Sequence, residues 1–136
     1  MLRVILTLCL ISSVALTSFG ARRKMRRIPD GAWGGMHIRI EVAGGSAKIE
    51  YDCAHGTISG PLLVDSHGRF TLRGTHVPEH GGPIRQEDLR AGQPARYSGW
   101  TDGKKMTLTV VLSNTKETIG TFNLVRGQDG RVMKCK

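Results

Sequence analysis

The stretch GTHVPEHGGP, residues 74–83, sets two histidines four apart with a glutamate beside the second. On a helix, His76 and His80 at this spacing would share a face and chelate a metal. Pro78 and the Gly81–Gly82 pair oppose a helix here, so a metal site would have to form in loop geometry. Strand parity supplies a partner. His76 shares parity with Phe70 and Leu72, and His55, two residues after Cys53, shares parity with Ile49 and Tyr51. Two inward histidines at strand ends meet at one rim, and His80 or Glu79 completes three ligands with an open fourth position, a set that suits zinc. The competing reading is that these histidines bond to loop backbone and close the end of the fold. His67, in the turn DSHG, and His37, between Met36 and the polar Arg39 and Glu41, read as solvated.

Covalent catalysis has no frame in this chain. Ser59, Ser66, Ser98 and Ser113 lack the strand–turn–helix context of a nucleophile elbow. No glycine-rich turn leads from a strand into a helix, so no phosphate-binding loop is present. Cys53 beside His55 places a thiol near a base, but a disulfide would consume that thiol. No enzyme activity and no cofactor beyond the zinc just considered are expected.

The elements that must hold these residues are strands. MHIRIEV puts Met36, Ile38, Ile40 and Val42 on one face, and AKIEYDC puts Ile49, Tyr51 and Cys53 inward. GTISGPLLVD reads as a third strand broken at Gly60–Pro61, and RFTLRGTHV as a fourth. ARYSGW and KKMTLTVVLS flank Asp102–Gly103, the signature of a tight hairpin turn. TIGTFNLVRG and a short RVMKCK end the chain. Residues 78–94 form the long loop, with one helical turn expected at 86–90. About eight strands with hairpin-length connections predict an all-β antiparallel meander, closed into a small up-and-down barrel; a two-layer sandwich is the alternative. Closure would remove the exposed edges of an open sheet.

Residues 1–20 read as a signal peptide. An arginine, an apolar run over residues 4–21 and small residues at its end describe an export leader cleaved before Ala21, with a retained membrane anchor as the alternative. RRKMRR makes residues 21–29 a basic linker, and 30–136 a single domain. The formal charge of +9 is misleading, because residues 28–136 carry 14 basic and 11 acidic side chains. Nucleic-acid binding, which needs charge clustered on the domain, is not expected. Contact with anionic lipid headgroups is the role open to residues 22–27. Cys9 lies in the leader, which leaves Cys53 and Cys135 as an even pair, so a disulfide is expected in an exported domain.

The segments GAWGGMHIRIEV, IEYDCAHGTI, GTHVPEHGGP and MTLTVVLSNTKETIGTFNLVRG, ending in KC, resemble a family of small, exported, uncharacterised bacterial proteins over nearly all of residues 28–136. That resemblance implies an envelope protein and supplies no chemistry. Gly31-Ala32-Trp33, opening the first strand, is similar to the G-x-W start of lipocalin-type barrels, which implies that Trp33 plugs one barrel end under Arg126 or Arg131. YDC, ARYSGWTDGKKMTL and a late cysteine resemble exported inhibitors of c-type lysozyme, which implies that the Ser98–Lys104 hairpin inserts into a target; about 25 more residues separate the motifs here.

The expectation is a secreted or periplasmic, monomeric binding module for a small ligand or metal, or for an envelope protein. The alternative is an inhibitor of a lysozyme or protease. Recognition is expected at the rim formed by the long loop, with His55, His76, His80, Glu79 and Arg85, or at the hairpin carrying Trp100 and Asp102.

Overall fold

The computed structural model describes residues 20, 22, 24–83, 85, 86 and 92–136. Among them the strands are β1 (Arg26–Arg27), β2 (Gly31–Gly35), β3 (Ile38–Ala43), β4 (Ser46–Tyr51), β5 (Ala54–Ile58), β6 (Leu63–Val64), β7 (Arg69–Pro78), β8 (Gln93–Thr101), β9 (Lys105–Leu112) and β10 (Thr118–Arg126). Eight of them form an antiparallel meander in the order β2-β3-β4-β5-β7-β8-β9-β10, and β10 pairs back onto β2 to close a barrel. The expected small barrel is the fold, and closure sets the sandwich aside. β1 and β6 pair with each other as a separate ribbon.

The two ends of the barrel differ. At the mouth lie the Met36–His37 and Asp52–Cys53 turns, residues 79–83 after β7 and the 113–117 loop. At the base lie the Gly44–Gly45 turn, the 59–68 connection and the 102–104 turn. The base is covered by the chain leading into β2. Ile28 is buried there and its N–H donates to the Leu62 carbonyl at 2.8 Å. The expected start of the domain at residue 30 therefore moves back to Arg26, and residues 26–29 belong to the fold rather than to a linker. The expected leader, residues 1–20, lies outside the described residues apart from Gly20, as do residues 87–90 of the expected helical turn.

Eight barrel strands are present as anticipated, but one member differs. RVMKCK joins no strand, and its contact with the barrel begins at a single bridge between Met36 and Arg131. The missing strand is β2, GAWGG. It separates from β3 because His37 takes a left-handed φ of 67° and reverses the chain. Met36, expected inward with Ile38, is 56% exposed at that turn.

Alternation fills the interior. Ile38, Ile40 and Val42 of β3, Ile49 and Tyr51 of β4, and Met106, Leu108, Val110 and Leu112 of β9 are all buried. Trp33 is 0% exposed, and its Nε1–H donates to the Pro29 carbonyl at 3.3 Å. Of the two arginines considered for its cover, Arg126 is its cross-strand partner and donates to the Asp30 carbonyl at 2.9 Å. Tyr97 crosses the interior: its hydroxyl donates to the Thr75 carbonyl at 2.6 Å and accepts from Tyr51 at 3.0 Å. An eight-stranded barrel has room for its side chains and little more. The void among Ile40, Ile58, Leu72 and Leu108 measures about 20 Å³, the space of one water.

Gly74 makes the Tyr97 position possible. A Cβ there would collide with the Thr57 carbonyl and lie 2.9 Å from the Tyr97 ring. Gly74→Val should therefore destabilise the barrel by about 1–3 kcal/mol, the usual cost of overpacking. Urea unfolding followed by fluorescence checks this; an unchanged midpoint would refute the packing described.

Candidate functional site: the disulfide-bound mouth

The rim of the mouth is built by the C-terminal tail. After β10 the tail climbs the outside of β2, lying so close to Gly34 that a Cβ there would collide with the backbone of Gln128 and Asp129. The Gly127 N–H donates to the Ala32 carbonyl at 2.7 Å, Arg131 to Gly35 at 3.0 Å, and His37 to the Arg131 carbonyl at 2.7 Å. Further on, the Met133 N–H donates to Asp52 Oδ1 at 2.7 Å, and Cys135 is bonded to Cys53 across 82 residues of sequence. Lys134 Nζ donates to the Ala54 carbonyl at 3.1 Å and pairs with Glu79 at 3.2 Å. The expected Cys53–Cys135 disulfide is thus the covalent end of a strap. A disulfide of this kind belongs to an oxidising, extracytoplasmic environment.

The anticipated histidine cluster does not assemble. His55 was expected inward, by parity carried through Cys53. Asp52–Cys53 is instead a two-residue turn, with Cys53 at φ 52°, so Tyr51 and Ala54 pair across it and both point inward. The alternation restarts one place later, which leaves Gly56 and Ile58 inside and His55 outside. Its Nδ1–H donates to Glu79 Oε1 at 2.7 Å, beside Lys134. His80 is exposed in the loop, with its Nδ1 bonded to the Gly81 carbonyl at 2.9 Å. His76 alone is inward, as expected. Among the described residues no three His, Cys, Asp or Glu side chains gather as a metal site. Arg85 lies exposed in the same loop as His80. Trp100 and Asp102 sit at the base, away from the mouth, where Asp102 Oδ1 accepts the N–H groups of Lys104 and Lys105 at 2.8 Å.

What the mouth does contain is a cleft of about 280 Å³ walled by Tyr51, His76, Pro78, Ile119 and Phe122, with His37, Asp52 and Cys53 at its edge. The Tyr51 ring lies 5.3 Å from the His76 ring and 5.8 Å from Phe122, both tilted. His76 is 5% exposed, and its Nδ1 is buried with no hydrogen-bond partner among the described residues. Burial pushes the His76 imidazole below its ordinary pKa, the His55 side chain adds to this, and Glu117 opposes it. Burial likewise raises the Tyr51 hydroxyl well above its ordinary range, with Tyr97 reinforcing it, so both tyrosines remain neutral donors and acceptors.

The carboxylates of the rim are held low. The Met133 N–H bonded to Asp52 is the main cause there, and His37 Nδ1, 2.5 Å from Oδ2, adds to it. Partial burial alone would raise Glu79, but the bonds from His55 and Lys134 outweigh it. Two signals for this mouth stand in the sequence, inward parity at His76 and the cysteine pair. Phe122, Ile119 and the His37–Asp52 pair had none, because they come from strands and turns distant along the chain.

Replacing both Cys53 and Cys135 by serine should lower stability by about 4.5 kcal/mol on the chain-entropy account for a separation of 82 residues. Guanidinium unfolding under non-reducing conditions checks it, and a loss below about 1 kcal/mol would contradict that account. For His76 the sign follows from its lowered pKa. Below 6.5, the ordinary imidazole value, the unfolded chain takes up a proton that the folded ring refuses, so stability is full above 6.5 and falls as the pH drops through it. His76→Phe should lack this loss, which is read as the difference between the urea midpoints of the two proteins at about pH 7.5 and about pH 5.5.

No family model, curated protein or solved structure matches this chain.

Proposed function

We propose that this chain is a non-catalytic, secreted or periplasmic binding module of the bacterial envelope whose ligand seats in the mouth of the barrel. The supporting observation is His76. A buried nitrogen without a partner costs about 1–3 kcal/mol, and a phenylalanine at this place would fill the wall without that cost. A side chain kept at such expense in the wall of an open cleft is the mark of a recognition site. The filled interior directs a ligand to the mouth rather than to the centre.

The cleft, at about 280 Å³, lies at the small end of ligand sites and takes a single ring or a short apolar group. Tyr51, Phe122 and Ile119 offer the apolar face, and the His37–Asp52 pair offers polar contacts at the edge. The ligand class is therefore a small amphipathic molecule. Among the described residues no three His, Cys, Asp or Glu side chains gather to hold zinc, so the mouth favours an organic ligand over a metal. The alternative, an inhibitor of a lysozyme or protease, would rest on Trp100 beside the Asp102 turn. That turn is braced against the body of the protein, with Gly103 beside Pro29, and the mouth is the better supported site.

Titration of the ¹⁵N-labelled protein with indole and with phenol tests this reading. Amide shifts should concentrate on Tyr51, His76, Ile119 and Phe122, and Phe122→Ala should weaken binding roughly 2- to 10-fold, the value of one aromatic contact. Shifts centred on another face, or none with either compound, would sink it.

A further inference from the structure

The base of the barrel, at the opposite end from the mouth cleft, carries a second feature that the mouth reading does not use. Two of its large apolar side chains are exposed, Met25 at 49% and Trp100 at 42%. Both stand among cations. Arg26 and Arg27 follow Met25 in β1, and Trp100 is the cross-strand partner of Arg69. Lys104 and Lys105 lie on the next turn, which touches the incoming chain where Gly103 approaches Pro29, and Arg126 reaches Asp30 beside them. All six of these basic residues are exposed.

Asp30, Asp65 and Asp102 share this end, and exposed Glu41 lies beside it on β3, opposite Lys48. Two of them are turned into their own turns: Asp65 Oδ1 accepts the N–H groups of His67 and Arg69, and Asp102 Oδ1 those of Lys104 and Lys105. The surface left to a partner is basic. A cleft of about 470 Å³ opens at the same end between the incoming chain and the Gly44–Gly45 turn, with Arg27, Ser46 and Ser59 on its walls.

The chain itself supplies a reason for the choice of partner. The apolar run of residues 4–21 leads through the basic segment 22–27 directly into β1. β1 is fixed to the base by its pairing with β6 and by Ile28. Basic side chains around an exposed tryptophan form the composition that settles at a bilayer interface, where the indole takes the headgroup level and the cations meet anionic lipid.

We infer that the base docks on an anionic phospholipid bilayer, with Trp100 and Met25 at the headgroup level and Arg26, Arg27, Lys104, Lys105 and Arg126 around them on the phosphates. The barrel then stands on the membrane with its mouth facing away.

The test uses the full chain with vesicles of phosphatidylcholine alone or mixed with phosphatidylglycerol, both containing brominated lipid as a quencher. Trp33 is fully enclosed and stays silent, so quenching reports Trp100. Trp100 emission should be quenched on the phosphatidylglycerol vesicles, and this quenching should be absent in Trp100→Phe. Neutralising Lys24, Arg27 and Lys104 together, each to glutamine, should weaken the added affinity for phosphatidylglycerol about 100-fold, at about fivefold per charge, and high salt should do the same. If the chain binds the vesicles while Trp100 stays unquenched, the leader alone holds it and the inference fails. It also fails if the triple variant binds as the parent does, or if a DNA duplex at physiological salt displaces the vesicles.

Discussion

Pairing of β10 with β2 is the interaction on which the other features depend. Without it, the meander is an open eight-stranded sheet with two exposed edges. With it, the inward residues of every strand are forced into one narrow interior, where Tyr97, Trp33 and the aliphatic side chains of β3, β4 and β9 exclude each other's space. The junction is short, with only Leu124, Val125 and Arg126 in register with Gly35, Gly34 and Trp33. β2 has three glycines and a tryptophan, a composition that offers little intrinsic strand preference. Its place is secured from both sides, by Trp33 in the interior and by the C-terminal tail lying against Gly34 outside.

Each end of the barrel is finished by a terminal segment, and the two differ in chemistry. The incoming chain closes the base with Ile28 and the β1–β6 ribbon, an apolar plug under a basic surface. The outgoing chain frames the mouth with backbone bonds, a disulfide and two carboxylates held low by their partners. Asp52 is the junction of the second system: one oxygen accepts the Met133 N–H and the other the His37 ring. The frame ties the tail to three separate loops of the mouth, so the cleft between them has defined walls although every one of those loops is a surface connection.

Much of the fold was readable from residue order. Alternation in Ile38–Val42, Ala47–Tyr51 and Lys105–Leu112 appears unchanged in the burial of these strands. The break at Gly60–Pro61 is real, and the Asp102–Gly103 hairpin lies where expected, with Gly103 at φ 90°. The candidate site was legible only in part. His76 kept its inward parity because β7 runs unbroken from Arg69 to Pro78. His55 lost it because two turn residues at 52–53 shift the phase, and a one-place shift sends a side chain to the opposite face. A cysteine at positive φ in a two-residue turn gives no compositional cue of the kind that glycine or asparagine would.

What the sequence by itself determined is the class of structure and its one covalent tie. The twofold apolar period can be satisfied by a barrel with a filled interior, and Cys53 and Cys135 are the two cysteines of residues 28–136, an even pair that joins. What tertiary structure decided is which residues meet: Tyr51 with His76 and Phe122 at the mouth, Asp52 with His37 and the tail, and Trp100 with Arg69 across the β7–β8 ladder at the base. Those meetings depend on the phase of alternation after each turn and on the register between strands far apart in the chain. Both are set by closure of the whole barrel rather than by any local stretch of residues.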